Sequence, residues 1–405
     1  MMNPDSLYRS PNALASHYER FEVANRLLLT GHSHQAWPDV GFDAQSRAWL
    51  DAAKFVDDKW ERAFEVADRV RYGWSRLLDD DDGHMSLASN THELVIRFLS
   101  ALPLRARPKL VTTDGEFHSI RRQLDRLEEE GVEIVRVRHA PIDSLAERLS
   151  VEIDERTAAA LVSKVFYGDA LIAPDLGPVA QACNAAGAEL LVDVYHVLDA
   201  IPFSLKTERL DGAFIVGGGY KYAQLGEGNC FMRFPRDCEL RPVITGWFSE
   251  FEALTDGTAR KVAYGTGGGR FAGATYDPAS HYRGAAVFDF FERQGLTAEI
   301  LREVSQHQIG IMAEAFDDLG LDPGFIERNR SVPLSAIGGF LALESSQAAR
   351  LCSDLRGRGV YTDFRANILR LGPAPYLSDD QLREAVALLG EVVREIRRHD
   401  AISQT

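Results

Sequence analysis

The fold is indicated by residues 189–222, which read ELLVDVYHVLDAIPFSLKTERLDGAFIVGGGYKY. Two short apolar runs, 189–192 and 213–216, are separated by one helical connection, and each is followed by glycine or polar residues. Such an alternation predicts parallel strands joined by a crossover. In sheets of this kind ligands bind beyond the carboxyl ends of the strands, so the residues after both runs are candidates for a site.

The same alternation of apolar runs and helical periods continues on both sides of this stretch. Further strands are predicted at 85–88, 109–113, 133–137, 158–165 and 229–233, and helices at 60–78, 91–102, 119–130, 142–149 and 176–186. We therefore predict the α/β class, with a large domain whose mostly parallel sheet is covered by helices on both faces.

The pattern changes after Trp247. Helices are predicted at 281–293 and 297–319, followed by a strand, helix, strand and helix at 338–343, 347–358, 367–371 and 379–398. This last part predicts a small α+β domain. The predicted division is 1–45 (N-terminal segment and entrance loop), 46–320 (large cofactor-binding domain) and 321–405 (small C-terminal domain).

The composition and charge of the chain limit the classes of function that it can have. The 405-residue chain is 45% hydrophobic and 26% charged, as is typical of a soluble globular protein. Its formal charge of −15 repels nucleic acid and anionic membranes at long range, and no run of about 18 apolar residues could span a bilayer. Four scattered cysteines fit a reducing compartment. We expect a cytoplasmic enzyme with a small-molecule substrate and no nucleic-acid or membrane partner.

Lys221 and Asp193 are the first candidate site residues. Lys221 follows an apolar run and three glycines, which we interpret as room for a ligand to approach the backbone. A lysine there could simply reach water, but a desolvated amine is what Schiff-base chemistry needs. Asp193 closes the preceding apolar run and could cap the next segment or hold a protonated pyridine nitrogen. Together they are the pair that a pyridoxal phosphate site requires.

A third polar turn, Ser89-Asn90-Thr91, lies between a predicted strand and a predicted helix. Hydroxyl and amide side chains at a helix N-terminus can bind an anion such as a phosphate group. The same residues are also typical of an ordinary N-cap, and both interpretations stay open.

These motifs resemble the kynureninase branch of the class V aminotransferase-like, fold type I pyridoxal-phosphate enzymes, over residues 31–376. The resemblance implies that pyridoxal 5'-phosphate is the cofactor and that Lys221 and Asp193 are catalytic. The implied cofactor-binding residues are Asn90, Thr91, Phe117, Asp193, His196, Tyr220, Lys221, Trp247 and Thr275. Phe117 would stack on the pyridine ring, and Lys221 would form an imine with the cofactor.

The resemblance also implies where the substrate binds. Arg370 in LRLGPAPY would bind the α-carboxylate of an amino acid, although an arginine there could instead bridge the two domains. His32 and Ser33 in the entrance loop 31–38, together with Phe248, would contact the substrate. Trp247, Phe248 and Thr275 would reach the site of a second subunit, which implies a homodimer with shared active sites.

The implied reaction is hydrolytic cleavage of the Cβ–Cγ bond of an amino acid, which releases alanine and a carboxylic acid. A β-lyase, an aminotransferase acting on another amino acid and a cofactor-binding protein without turnover remain alternatives. The entrance loop departs from the kynureninase pattern at His32, His34 and Gln35, and no histidine lies near Trp60. The cofactor half of the site is therefore matched, and the aromatic-recognition half is not.

Three other features are interpreted structurally. The pair His32 and His34 is too few for a zinc site, so no metal is predicted. The glycine-rich stretch 265–269 lacks the Gly-Lys-Ser/Thr ending of a nucleotide-binding loop. The acidic run 79–82 is interpreted as a solvated turn.

Overall fold

A computed structural model describes residues 2–256 and 261–403 of the chain. The strands in these residues are β1 (Leu27–Leu28), β2 (His84–Ala88), β3 (Lys109–Thr113), β4 (Glu133–Val137), β5 (Thr157–Ser163), β6 (Glu189–Asp193), β7 (Phe214–Gly218), β8 (Cys230–Phe234), β9 (Glu327–Arg328), β10 (Leu341–Glu344), β11 (Val360–Tyr361), β12 (Asp363–Arg365) and β13 (Ile368–Leu371).

The α-helices alternate with these strands, and short 3₁₀ helices lie between them. They are α1 (Asp5–Tyr8), α2 (Val40–Phe55), α3 (Lys59–Leu78), α4 (Thr91–Ala101), α5 (His118–Glu129), α6 (Leu145–Ser150), α7 (Gly177–Ala186), α8 (Leu205–Glu208), α9 (Ala279–Gln294), α10 (Ala298–Asp318), α11 (Ala348–Gly357) and α12 (Asp379–Ser403). None of the described helices is both long enough and apolar enough to cross a bilayer.

The large sheet has the strand order β2-β8-β7-β6-β5-β3-β4. Every strand runs parallel to the others except β8, which is antiparallel to both neighbours. Alternate residues of the central strands, such as Leu191 and Val192 of β6, enter two separate cores on opposite faces. The prediction of a mostly parallel sheet covered on both faces by helices is confirmed.

The antiparallel direction of β8 follows from its connection to β7. Residues 219–229 contain no helix, so the chain returns through a short loop rather than a crossover, and such a return is antiparallel. This loop carries Lys221. It leaves β7 at the same sheet edge at which β6 ends with Asp193 and β2 ends before Asn90.

A small antiparallel sheet, β12-β13-β10-β9, forms the carboxy-terminal part of the fold. The N-terminal segment joins it, since β1 pairs in parallel with β11, and Gly31 donates a backbone hydrogen bond to Gly372. A Cβ atom on Gly31 would lie 2.2 Å from the carbonyl oxygen of Pro373, so this close approach requires glycine. The entrance loop is therefore fixed against β13.

The interpretation of the acidic run 79–82 as a wholly solvated turn is wrong for Asp80. Asp80 and Arg233 are both buried, and Arg233 Nε donates to Asp80 Oδ2 at 2.8 Å. Burial alone would raise the pKa of Asp80, but the guanidinium lowers it below its usual value. The pair joins the turn before β2 to β8.

We predict that Asp80→Asn lowers the free energy of unfolding by about 3–5 kcal/mol at pH 7, because Arg233 then stays buried without its counter-charge. The exposed Asp82 of the same turn is the matched control, and Asp82→Asn should change this free energy by less than about 0.5 kcal/mol. Urea denaturation measures both values. Equal midpoints for the two variants would contradict the assignment.

Candidate functional site

A cavity of about 190 Å³ lies at the carboxyl edge of the large sheet. Of the cofactor residues implied by the sequence, its lining includes Asn90, Thr91, Phe117, Asp193, His196, Tyr220 and Lys221. They come from four connections: between β2 and α4, between β3 and α5, after β6 and after β7. The fold therefore brings residues that are up to 131 positions apart in the sequence into one pocket.

Lys221 lies at the base of this cavity and is 6% exposed. Its Nζ is 2.6 Å from His196 Nε2, within hydrogen-bonding distance, and 4.7 Å from the centre of the Tyr195 ring. Burial lowers the pKa of the amine, with the nearby Asp193 charge opposing this shift. A lysine whose neutral form is favoured is a nucleophile and a base near neutral pH.

From the sequence we interpret the glycines before Lys221 as room for a ligand to approach the backbone. The structure shows instead that protein side chains fill the space beside Gly218 and Gly219. A Cβ atom on Gly218 would lie 2.4 Å from the Tyr195 hydroxyl oxygen, and one on Gly219 would lie 2.6 Å from Leu225 Cβ. These glycines make room for side chains of the protein itself. Their effect on Lys221 is to let the loop pack closely against Tyr195.

Asp193 serves as a turn cap and also lines the cavity, so the two interpretations of this residue are compatible. Its Oδ1 accepts the backbone N–H of Tyr195 at 2.8 Å. Burial raises the pKa of the carboxyl, against the effects of that hydrogen bond and of the Lys221 charge.

Asn90 is the N-cap of α4, since its side-chain oxygen accepts the backbone N–H of Glu93 at 2.9 Å. Its side chain is thus engaged within the helix terminus, as one of the two interpretations requires. Thr91, the first residue of α4, contacts the thiol of the buried Cys230. The positive end of the α4 dipole still meets the cavity, where it favours an anion.

Arg370 is held by an acidic partner that the sequence analysis did not single out. Its Nε donates to Asp363 Oδ1 at 2.9 Å, its Nη2 donates to the other carboxylate oxygen, and its Nη1 donates to the Tyr167 carbonyl at 2.6 Å. Asp363 and Arg370 are cross-strand partners on β12 and β13. The arginine therefore also bridges the small sheet to the loop after β5, the alternative that the sequence had left open.

His32 completes this cluster from the entrance loop. It is fully buried, and its Nε2 lies 2.7 Å from Asp363 Oδ1. Burial lowers the pKa of His32 to about 4, so its ring is neutral at pH 7. Burial would raise the pKa of Asp363, but the hydrogen bonds of His32 and Arg370 hold it well below the usual range.

The cluster of His32, Asp363 and Arg370 does not line the 190 Å³ cavity, and neither do four other residues implied by the sequence, which are Ser33, Trp247, Phe248 and Thr275. Phe248 and Thr275 line a neighbouring cavity of about 530 Å³, which shares Ser89 and Gly228 with the first. Trp247 Nε1 donates to Thr275 Oγ1 at 3.2 Å, and the Trp247 ring stacks on Phe248. The Ser33 hydroxyl donates to the Thr30 carbonyl.

Glu116 is a site residue that the sequence analysis missed. Its carboxylate accepts hydrogen bonds from the Ser163 backbone N–H and hydroxyl and from the Thr113 hydroxyl. Burial raises its pKa to about 7. Glu116 therefore fixes the loop that carries Phe117 against the end of β5, where Ser163 is the register partner of Asp193 on β6. Polar residues that end two neighbouring apolar strands, Thr113 and Ser163, were the available signal.

Within residues 2–256 and 261–403, no group of three or more His, Cys, Asp or Glu side chains is arranged to hold a metal ion.

Comparison with known proteins gives these groups a context. Residues 325–389 match the family model of the kynureninase C-terminal domain. Kynureninase of Geobacillus thermodenitrificans is 23% identical over 97% of this chain and 89% of its own length. The kynureninase of Bacillus thuringiensis subsp. konkukian is 25% identical over 76% of this chain and 73% of its own length. The chain is thus similar to kynureninases over most of its length. An uncharacterized aminotransferase of Bacillus subtilis, YcbU, is 22% identical over 84% of this chain and 87% of its length.

Solved structures share the fold. A mutant of C-DES with glycine covalently linked to its PLP cofactor has a TM-score of 0.77, at 15% identity over 93% of this chain and 98% of that one. The apo cysteine desulfurase of Thermococcus onnurineus NA1 has a TM-score of 0.75, at 15% identity over 92% of this chain and 96% of that one. The chain has the architecture of the fold type I enzymes.

We predict that Asp363→Asn destabilises the protein by about 3–5 kcal/mol at pH 7, because Arg370 is left buried without its counter-charge. Since the pKa of Asp363 lies below its unfolded value, the stabilisation is present above about pH 4 and is lost as the pH falls further. Calorimetry at pH 7 measures the loss. Arg365→Lys, which alters a half-exposed neighbour of Asp363, is the control and should melt like the wild type. Identical melting of both variants would disprove the role of Asp363.

Proposed function

We propose that the protein is a pyridoxal-phosphate-dependent enzyme that acts at the β-carbon of an amino acid, with hydrolytic Cβ–Cγ cleavage as its reaction. The observation that carries this proposal is the buried Lys221 amine, which lies in one cavity with Asp193, His196 and the N-terminus of α4. The similarity to kynureninases supports the choice of reaction.

The groups that line the cavity fit the cofactor. Lys221 would hold it covalently, Asp193 would face its pyridine nitrogen, and Phe117 would cover one face of its ring. Its phosphate would lie at the start of α4, near Asn90, Thr91 and Tyr220, where the helix dipole favours an anion. The bound cofactor supplies an electron sink for the bonds at the α-carbon of the substrate.

Lys221 is the proton-transfer group of the proposed reaction. Because burial favours its neutral form, the amine can take a proton from the substrate α-carbon. His196, 2.6 Å from Nζ, positions this amine. Burial, and after it the Lys221 charge, lowers the pKa of His196 well below its usual value. The neutral form of its ring is therefore favoured, and the ring adds no positive charge beside the amine.

Arg370 would bind the substrate α-carboxylate. A guanidinium has five N–H donors, and Asp363 and the Tyr167 carbonyl use three of them. We propose that the remaining donors face the substrate and that Asp363 keeps the guanidinium plane in one orientation. His32, Ser33 and Phe248 remain proposed substrate contacts, on the same resemblance.

In the proposed reaction a water molecule adds to the γ-carbonyl carbon of the substrate. The Cβ–Cγ bond then breaks, which releases a carboxylic acid and leaves alanine. An aminotransferase is the second candidate, and the similarity to YcbU over most of both chains favours it. Turnover as a cysteine desulfurase is disfavoured because Cys230 is 3% exposed and burial raises its pKa.

The function is tested by incubating the purified enzyme and cofactor with kynurenine, 3-hydroxykynurenine and cystine and identifying products by mass spectrometry. We predict alanine and an anthranilate from a kynurenine substrate without added 2-oxo acid. Turnover only when a 2-oxo acid is present would support the aminotransferase, and cleavage of cystine alone would support a β-lyase. Either result would contradict the proposed reaction.

We also propose that the enzyme is a homodimer in which Trp247 and Thr275 serve the site of the other subunit. Lys221→Ala and Thr275→Ala should each be nearly inactive alone. Mixed subunits should regain up to about a quarter of wild-type activity, because half of the dimers are hybrids with one intact site of two. No recovery after verified subunit exchange would show that each subunit builds its whole site.

A further inference from the structure

Asp199 is a buried carboxylate that neither the fold nor the proposed reaction explains. It is 6% exposed and has a left-handed backbone, with φ of 57°. Burial raises its pKa to about 7, and no hydrogen bond or ion pair from the described residues offsets that burial. An isolated buried carboxylate is costly unless something compensates its charge.

The surroundings of Asp199 form a cleft of about 830 Å³ between α3, the segment 199–208 and the turn from α9 to α10. This cleft shares no lining residue with the cavity that contains Lys221. Its apolar lining includes Tyr72, Phe203, Phe288 and Leu296. A cleft of this size and character is typical of a site for a small organic molecule.

Three of the other acids that line the cleft have basic partners, and the remaining two, Glu292 and Glu299, are exposed to solvent. Asp289 pairs with Arg69, Glu208 with Lys164, and Asp79 with Lys206. The Asp199 oxygens, in contrast, are not fully enclosed by protein atoms, although the residue is buried and their hydrogen-bonding capacity is unused. The carboxylate therefore meets the cleft and is available to a ligand.

We propose that this cleft binds an organic cation, in which an ammonium group pairs with Asp199 and an aromatic or aliphatic body packs against the apolar lining. The charge of a cation offsets the free-energy cost of burying the carboxylate. The faces of Tyr72, Phe203 and Phe288 also attract an ammonium group. A metal ion is disfavoured because the described residues offer no cluster of three ligands there. The proposal does not depend on the cofactor or on the reaction.

The probe for this proposal is benzyltrimethylammonium, titrated calorimetrically into the full-length enzyme with its cofactor. A quaternary ammonium cannot form an imine, so a signal from the Lys221 site is avoided. Asp199→Asn keeps the shape of the side chain, and asparagine adopts a left-handed backbone readily. Glu299→Gln, at the exposed start of α10 on the rim of the same cleft, is the control with the same change in charge.

We expect binding of one probe per chain, weakened at least about tenfold by Asp199→Asn and less than about twofold by Glu299→Gln. Benzyl alcohol, which is neutral, should bind the wild type at least about tenfold more weakly than the cation, and this comparison needs no variant. Absence of binding to the wild type, equal affinity of Asp199→Asn, or equal affinity for benzyl alcohol would each overturn the proposal.

Discussion

The burial of the Lys221 amine is the constraint on which the site depends. An ammonium group in this position loses most of its hydration, and the neighbouring Arg370 and Arg365 add repulsion that Asp193 and Asp363 oppose. The loop can hold the amine there because the residues before it are glycines that pack against Tyr195 and Leu225. The result is an amine whose neutral form is favoured, placed near the ends of β2, β3, β6 and β7.

The second element of the site is the set of contacts between the entrance loop, near the N-terminus, and the small carboxy-terminal sheet. The entrance loop is fixed to β13 by the close contact of Gly31 with Gly372 and Pro373, and His32 and Arg370 share the carboxylate of Asp363. The Tyr167 carbonyl extends these contacts to the large sheet. The position of Arg370 therefore depends on residues from three distant parts of the sequence.

Much of the cavity that contains Lys221 could be predicted from the sequence because it is built on strand ends. Apolar runs such as 189–192 stop at polar residues, and parallel strands place those residues at one edge. Asp363 could not be found in this way, because β12 is only three residues long and its pairing with Arg370 appears only when the hairpin forms. The burial of Asp80 likewise depends on Arg233, which is 153 residues away. The role of the glycines before Lys221 could not be predicted from their run alone, because it depends on the packing of Tyr195, Cys230 and Leu225 against them.

Every step of the proposed reaction requires that Lys221 holds the cofactor. The most direct measurement is borohydride reduction of the enzyme with pyridoxal 5'-phosphate, followed by digestion and mass spectrometry of the labelled peptide. We predict a single reduced pyridoxyl group, on the peptide that contains Gly219-Tyr220-Lys221-Tyr222. A label on any of the other lysines, such as the partly buried Lys164, or no label on the loaded enzyme, would contradict it.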